Sequence, residues 1–261
     1  MNILFIGDIC GRCGREALFT YLEDIKYEYN IDFTIANGEN AAGGLGITVK
    51  TYEEMTRAGV DFFTLGNHAF SKANDAKILL DRKEAIVRPA NMLPEELPGT
   101  GMEIVRGGNG EKIAIINLLG RVYMENAKDP FKCVDELVKE AKKVTNIIIV
   151  DFHAEATSEK EAMGFYLDGK VSGVFGTHTH IQTADEKILP NGTAYITDAG
   201  MTGAVNSVLG MEVETAVGRF VTPDESHPFK SAEGKARFCA VCVNVDEKTG
   251  KAIEVKRIWK S

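Results

Sequence analysis

The chain lacks clustered positive charge. Lys and Arg number 30 against 38 Asp and Glu, for a net charge of −8, and no run of five basic residues occurs. Duplex nucleic acid is therefore not the expected partner, because its phosphates are held by grouped Lys and Arg. Long apolar runs are missing too: no stretch approaches the ~20 residues that a membrane span needs. The opening "MNILFIGDIC" has no basic leader and no small-residue cleavage site, so it reads as a strand and not a signal peptide. The expected location is the cytoplasm. The five cysteines suggest no disulfide framework. Cys239 and Cys242, an odd separation apart in the strand-like "ARFCAVCVNV", point to opposite faces and cannot chelate one ion together. Cys10 and Cys13, in "CGRC", fall between a strand and a helix, the setting of a redox pair. Without other redox signals they read as incidental small residues at a turn.

With 44% hydrophobic residues over 261 positions, the chain can bury the core of one large domain or two small ones. Apolar runs alternate with helical patterns. Ile3 to Ile6 is followed by Leu18, Tyr21, Leu22, Ile25 and Tyr29 at helical spacing. Further runs are Phe33 to Ala36, Phe62 to Leu65, Ile113 to Leu119, Ile147 to Val150, Val174–Phe175 and Ala194 to Thr197. A helix carries Val134, Leu137, Val138 and Ala141 on one face, with Asp129 as its cap and Pro130 in its first turn. Ser158 with Glu161 reads as a capping box opening another helix. The tail reads as two alternating strands joined by the turn "DEKTGK". No repeat or linker interrupts the pattern. A single α/β domain with a mixed sheet, or two packed sheets between helices, fits it.

The polar residues collect at one kind of place. Asp8 follows the first run, Glu39 and Asn40 the second, and Asn67 and His68 the third. His153 follows "NIIIVDF", and His178 and His180 follow "GVFG". Ligands of open α/β sheets bind at the carboxyl ends of strands, so five segments deliver acid, amide and imidazole to one edge. A histidine pair at i, i+2 on a strand points both rings to one face. The fifth histidine, His227 in "DESHPF", reads as a solvated loop residue. Oxygen and nitrogen donors without an obvious thiolate suit Mn, Fe or Zn. They are enough for two ions sharing a carboxylate, a recurrent device for phosphoester hydrolysis. Loops "AAGGLGIT" at 41–48 and "DAGMTGAVNSVLG" at 198–210 are rich in Gly, Ser and Thr and read as substrate-facing.

The stretches "GD" at 7–8, "GNH" at 66–68 and "GTHTH" at 176–180 resemble the blocks of calcineurin-like metallophosphoesterases. "NGENAAGG" at 37–44 and "DFHAEATSEK" at 151–160 resemble the YmdB-like branch. The resemblance covers essentially the whole chain. It implies an αββα sandwich, two mixed sheets flanked by helices, as one domain over residues 1–261. It implies two divalent or mixed-valence transition-metal ions, Fe before Mn or Zn, and a homo-oligomer, dimer or tetramer. The implied activity is a phosphodiesterase acting on cyclic nucleotides, 2′,3′-cyclic AMP in particular. Carried over by position, Asp8, Asn40 and His180 hold one ion and Asn67, His153 and His178 the other. Glu39 bridges them, and His68 is the proton donor. Three positions depart from the broad superfamily: Cys10 replaces a histidine, Glu39 a bridging aspartate, and Ala69 an acidic residue after the third block. Two other readings stand beside this one: a phosphomonoesterase, and a regulatory module that senses a nucleotide through a catalytically poor site.

Overall fold

The computed structural model describes residues 1–108 and 110–261. The first apolar run forms β1 (Asn2–Ile6), followed at once by β2 (Asp8–Ile9). Gly7 separates them because a Cβ there would lie 1.8 Å from the Gly200 carbonyl oxygen. In α1 (Gly11–Glu28), Leu18, Leu22 and Ile25 repeat at helical spacing and are buried. Next come β3 (Phe33–Asn37), α2 (Val49–Arg57), β4 (Phe62–Thr64) and α3 (Ala73–Asp81). The middle of the chain supplies β5 (Met102–Arg106), β6 (Lys112–Leu119), α4 (Pro130–Ala141) and β7 (Ile147–His153). Then follow α5 (Thr157–Leu167), β8 (Gly173–Thr177), β9 (Lys187–Ile188) and β10 (Ala194–Ile196). The last elements are β11 (Met201–Ala204), α6 (Val213–Val221), β12 (Ala236–Val245) and β13 (Ala252–Lys260).

Asp129 caps α4 as expected, its carboxylate accepting from the Phe131 and Lys132 amides. The expected capping box at Ser158 does not form. Helix α5 begins at Thr157 behind Ala156, with no side-chain cap. Ser158 thus sits inside the first turn, where its hydroxyl cannot serve as the N-cap. The capping box occurs at α2 instead, between Thr48 and Thr51.

The strands form two mixed sheets. One runs β2-β11-β12-β1-β3-β4, with β13 paired to β12; the other runs β5-β6-β7-β8-β10-β9. Within them β1, β3 and β4 are parallel, as are β6, β7, β8 and β10. The tail hairpin β12–β13 is antiparallel, as the alternation implies. Alternate residues decide the layering. Ile3, Phe5, Ile35 and Phe62 of the first sheet pack against Ile115, Ile149, Phe175 and Ile196 of the second. Phe5 and Phe175 meet across this interior with ring centroids 5.2 Å apart. The opposite face of the first sheet packs on α1, α2 and α3, and that of the second on α4 and α5. The result is an αββα sandwich. Each large side chain fully buried there contributes roughly 1.5–3 kcal/mol. No helix among the described residues is long and apolar enough to cross a membrane.

Candidate functional site

All eight residues singled out in the sequence meet at the common strand-end edge of the two sheets. Asp8 opens β2, Glu39 and Asn40 follow β3, and Asn67 and His68 follow β4. His153 ends β7, while His178 and His180 come just after β8. His153 Nε2 lies 2.9 Å from Asn67 Oδ1, 3.1 Å from Glu39 Oε1 and 3.1 Å from His178 Nδ1. Glu39, His153 and His178 form a group whose potential ligand atoms lie within 4.8 Å of one another. Beside it, Asn40 Nδ2 is 3.2 Å from both Glu39 Oε1 and His180 Nε2. Asp8 Oδ1 stands 3.8 Å from His180 Nε2 and 3.9 Å from His153 Nδ1. The backbone is shaped around this cluster: a Cβ on Gly66 would fall 2.3 Å from Glu39 Oε2 and 2.4 Å from His153 Nε2.

Each of the three clustered imidazoles has one nitrogen committed outward. The Thr177 hydroxyl donates to Asp151 at 2.7 Å, so it can only accept from His153 Nδ1, 2.9 Å away. His178 Nε2 lies 3.1 Å from the Glu155 carboxylate. His180 Nδ1 lies 3.1 Å from the Leu209 carbonyl oxygen, an acceptor only. In the neutral rings the inward nitrogens are therefore lone-pair donors: His153 Nε2 faces Glu39 and Asn67, His180 Nε2 faces Asp8 and Asn40, and His178 Nδ1 faces His153. Buried Asp8 Oδ1 has no hydrogen-bond partner among the described residues. Apart from the Asn40 amide, the side-chain atoms turned inward are acceptors, and such a cluster is costly unless a proton or a cation occupies it. Outward hydrogen bonds from ligating histidines are also how proteins fix imidazole orientation at metals. The residues present thus fit a metal centre.

The electrostatics agree. Burial would lower the His153 pKa, but the charge and hydrogen bond of Glu39, with Asp8 and Asp151 behind them, raise it to about 9. Burial would raise Glu39, yet His153 and then His68 bring it down to about 2. Burial and the neighbouring His153 depress His178 to about 3. Asp8 is raised by burial, with His180 and His153 pulling the other way. Positive charge is favoured between these groups, and His178 is kept neutral.

Some details differ from expectation. His178 and His180 are not in strand geometry; β8 ends at Thr177, and both residues have positive φ, 95° and 66°. Their rings consequently diverge, one toward His153 and the other toward Asp8 and Asn40. Such backbone strain in non-glycine residues persists where the surroundings enforce it, commonly at functional sites. Here the enforcement comes from Asp198, whose Oδ2 accepts from the Thr179 amide and hydroxyl and from the buried Lys160 Nζ. His227 is half-buried, its Nε2 2.8 Å from the Thr222 hydroxyl, and is not simply solvated. Cys10 is buried beside Gly203 and Gly210, and burial, with Asp8 next, pushes its thiol to about 12. It packs as a neutral group.

Further residues contribute to the site beyond those singled out in the sequence. Asp151, Thr177 and Glu155 orient the histidines, while Lys160 and Asp198 shape their loop. Asp151 did carry a signal, being a lone acid in the otherwise apolar "NIIIVDF". Both loops expected to face substrate do line a cavity of about 470 Å³ beside the cluster, through Gly44, Leu45, Val208 and Leu209.

Fold and site together define an αββα protein with a candidate metal centre at the joint edge of its two sheets. The family model for YmdB-like proteins matches residues 4–258, and the chain belongs to that family. It is 48% identical over 258 residues to the 2′,3′-cyclic-nucleotide 2′-phosphodiesterase of Bacillus subtilis (strain 168), covering 99% of this chain and 96% of that protein. A hypothetical protein from Thermus thermophilus has a crystal structure similar at a TM-score of 0.92 and 42% identity, covering 100% of this chain and 99% of the other. A crystal structure described as a novel phosphatase of Mycoplasma pneumoniae matches at a TM-score of 0.92 and 36% identity, over 100% and 93% of the two chains.

Proposed function

We propose that the chain is a calcineurin-like metallophosphoesterase that hydrolyses 2′,3′-cyclic nucleotides, 2′,3′-cyclic AMP among them. The observation that carries this reading is the set of three imidazoles whose outer nitrogens are all committed, leaving their inner nitrogens turned into one cluster with Glu39, Asn67 and Asp8. Asp8, Asn40 and His180 would hold one ion, and Asn67, His153 and His178 the other, with Glu39 between them. Such a nitrogen–oxygen set suits Fe, Mn or Zn, and the family resemblance puts iron first. Ions held there supply Lewis-acid polarisation of the phosphoryl oxygens and a nucleophile at neutral pH. Asn40 Nδ2 faces Glu39 and His180 here; ligation through its oxygen corresponds to the flipped amide. One domain over residues 1–261, a cytoplasmic location and a homo-oligomer, dimer or tetramer, belong to the same reading.

His68 is the proton donor in this scheme. Its amide is fixed on Glu39 Oε2 at 2.8 Å, and its ring is half-exposed over the cleft. Opening the cyclic ester puts negative charge on a ribose oxygen, and an imidazole is suited to protonate it. The family relationship to a 2′,3′-cyclic-nucleotide phosphodiesterase supports the choice of substrate.

The test is turnover by anaerobically prepared, Fe- or Mn-loaded protein on 2′,3′-cyclic AMP and on AMP. The expected result is efficient cyclic-ester opening, weak phosphate release from AMP, and loss of activity on chelation. Phosphate release from AMP as fast as ring opening would transfer the site to the monoesterase reading. Inactivity on both esters with ions bound would leave the sensing module.

A further inference from the structure

Two clefts leave the candidate centre, one on each side of a wall formed by His68 and His178. The first, about 540 Å³, is lined by Phe70, Leu97, Tyr123 and Met124. The second, about 470 Å³, is lined by Leu45, Leu209, Phe220 and Phe229. Both are of the size that small-molecule sites have. Each has an aromatic ring at its rim open to solvent: Tyr123 is 89% exposed and Phe220 is 84% exposed. Neither is loosely attached. Tyr123 lies in left-handed backbone, φ 61°, as does Asn126, φ 60°. Their loop is pinned by the Glu159 carboxylate, which accepts from the Arg121 and Val122 amides, and by the Leu93 amide donating to the Asn126 carbonyl. A strained backbone that holds an aromatic ring out in water is better explained by a ligand than by packing. On the other side α6 carries Phe220 and has Ala216 as its only buried residue, so the helix is not there to fill a core.

A cyclic nucleotide has one base and fills one cleft. We infer that the same centre also cleaves linear phosphodiesters with a flat ring on each arm, namely dinucleoside monophosphates, with one base at Tyr123 and the other at Phe220. The inference rests on the phosphodiesterase reading above. Aromatic side chains are general stacking platforms for bases. The clefts offer little to a second phosphate: among the described residues Arg219 is the one Lys or Arg that lines them, its Nε donates to the His227 carbonyl, and Glu125 lines the Tyr123 side. A single phosphate, seated between the clefts, is what the charges allow. Hydrolysis then breaks one P–O bond and forms another from water. One proton of that water stays with the phosphate, the other is released to solvent, and the leaving ribose oxygen takes a proton from His68, which solvent then replaces. The products are a nucleoside and a nucleotide. Because His68 lines both clefts, one imidazole serves a leaving group in either arm.

The experiment compares kcat/KM on adenylyl-uridine and on 2′,3′-cyclic AMP for the metal-loaded wild type and for Tyr123→Ala, Phe220→Ala and Tyr27→Ala. Tyr27, 88% exposed on α1, lines neither cleft and controls for loss of a surface ring. Wild type should cleave adenylyl-uridine. The ratio of linear to cyclic kcat/KM should fall about 5- to 150-fold in at least one of the two cleft variants, mostly through KM, as loss of a base–aromatic stack predicts. Tyr27→Ala should leave that ratio unchanged. Binding of the non-hydrolysable methylphosphonate analogue of adenylyl-uridine should weaken in both cleft variants. A wild type that opens the cyclic ester but leaves adenylyl-uridine intact overturns the two-cleft inference alone. So does analogue binding that ignores both cleft variants. Cleavage of adenylyl-uridine without ring opening of the cyclic ester retains this inference and overturns the choice of substrate above.

Discussion

At the scale of single residues, His68 is the sharpest case. It follows Asn67, whose Oδ1 lies 2.9 Å from His153 Nε2 and whose Nδ2 lies 3.3 Å from the His68 ring, while the His68 backbone is held by Glu39. The acid that would steady such a histidine is replaced by Ala69, which is fully buried. Ser71 Oγ, 3.4 Å from His68 Nδ1, stands nearest to that role. A general acid contributes about 10²–10⁴-fold, and only where the leaving group needs a proton. His68→Ala should therefore keep its metal content and lose about that much on a cyclic nucleotide. On a nitrophenyl phosphodiester, whose leaving group needs no proton, the loss should be far smaller. Equal losses on both, or loss of metal, would reduce His68 to a support for Asn67. This residue was legible in the sequence because it stands next to a strand end in "GNH". Glu155 was not, because a carboxylate in "DFHAEATSEK" becomes meaningful only when its loop lies 3.1 Å from His178.

At the scale of elements, periodic helices and apolar runs were legible, the three-residue β4 and β10 among them, and short strands without such a run were not. Helix α1, helix α4 and the strands of the two interiors announced themselves by periodicity. β2, β9 and β11 could not, since "DI", "KI" and "MTGA" hold neither a periodic signal nor an apolar run. Ser158 misled because a capping motif was read without knowing where the helix begins. The more consequential neighbour is Lys160, one turn into α5 and 1% exposed. It reaches Asp198 at 2.8 Å and Thr179 at 3.2 Å, tying α5 to the loop that carries His178 and His180. Removing one partner of a buried ion pair leaves the other charge uncompensated, at a cost of about 3–5 kcal/mol. Lys160→Met should lower unfolding stability in urea by that order and weaken ion binding along with it, whereas Lys160→Arg should recover part of both. A change below about 1 kcal/mol in the Met variant would mean that the loop is held by Thr179 and the backbone alone.

At the scale of the whole molecule, the alternation of strand and helix foretold an α/β fold but not which strands share a sheet. Local patterning is silent on that, because β1, β3 and β4 read no differently from β6, β7 and β8. The partition matters to the site. The first sheet brings Asp8, Glu39, Asn40, Asn67 and His68; the second brings His153, His178 and His180. Ions bound at this edge would join the two sheets, and Glu39 is the group common to both halves of the cluster. A ligand that binds only the folded state stabilises it by about 2.7 kcal/mol at a hundredfold excess over Kd. Metal should therefore raise the melting temperature of wild-type protein, and chelation should reverse the rise. Glu39→Gln replaces a charged bridge with a neutral amide, so both ions should weaken together and the metal-dependent rise should largely vanish. Elemental analysis on the same samples should give two ions per wild-type chain and fewer than one in the variant. If Glu39→Gln keeps one ion at full occupancy with about half of the thermal gain, the two halves of the cluster bind independently and Glu39 is no bridge.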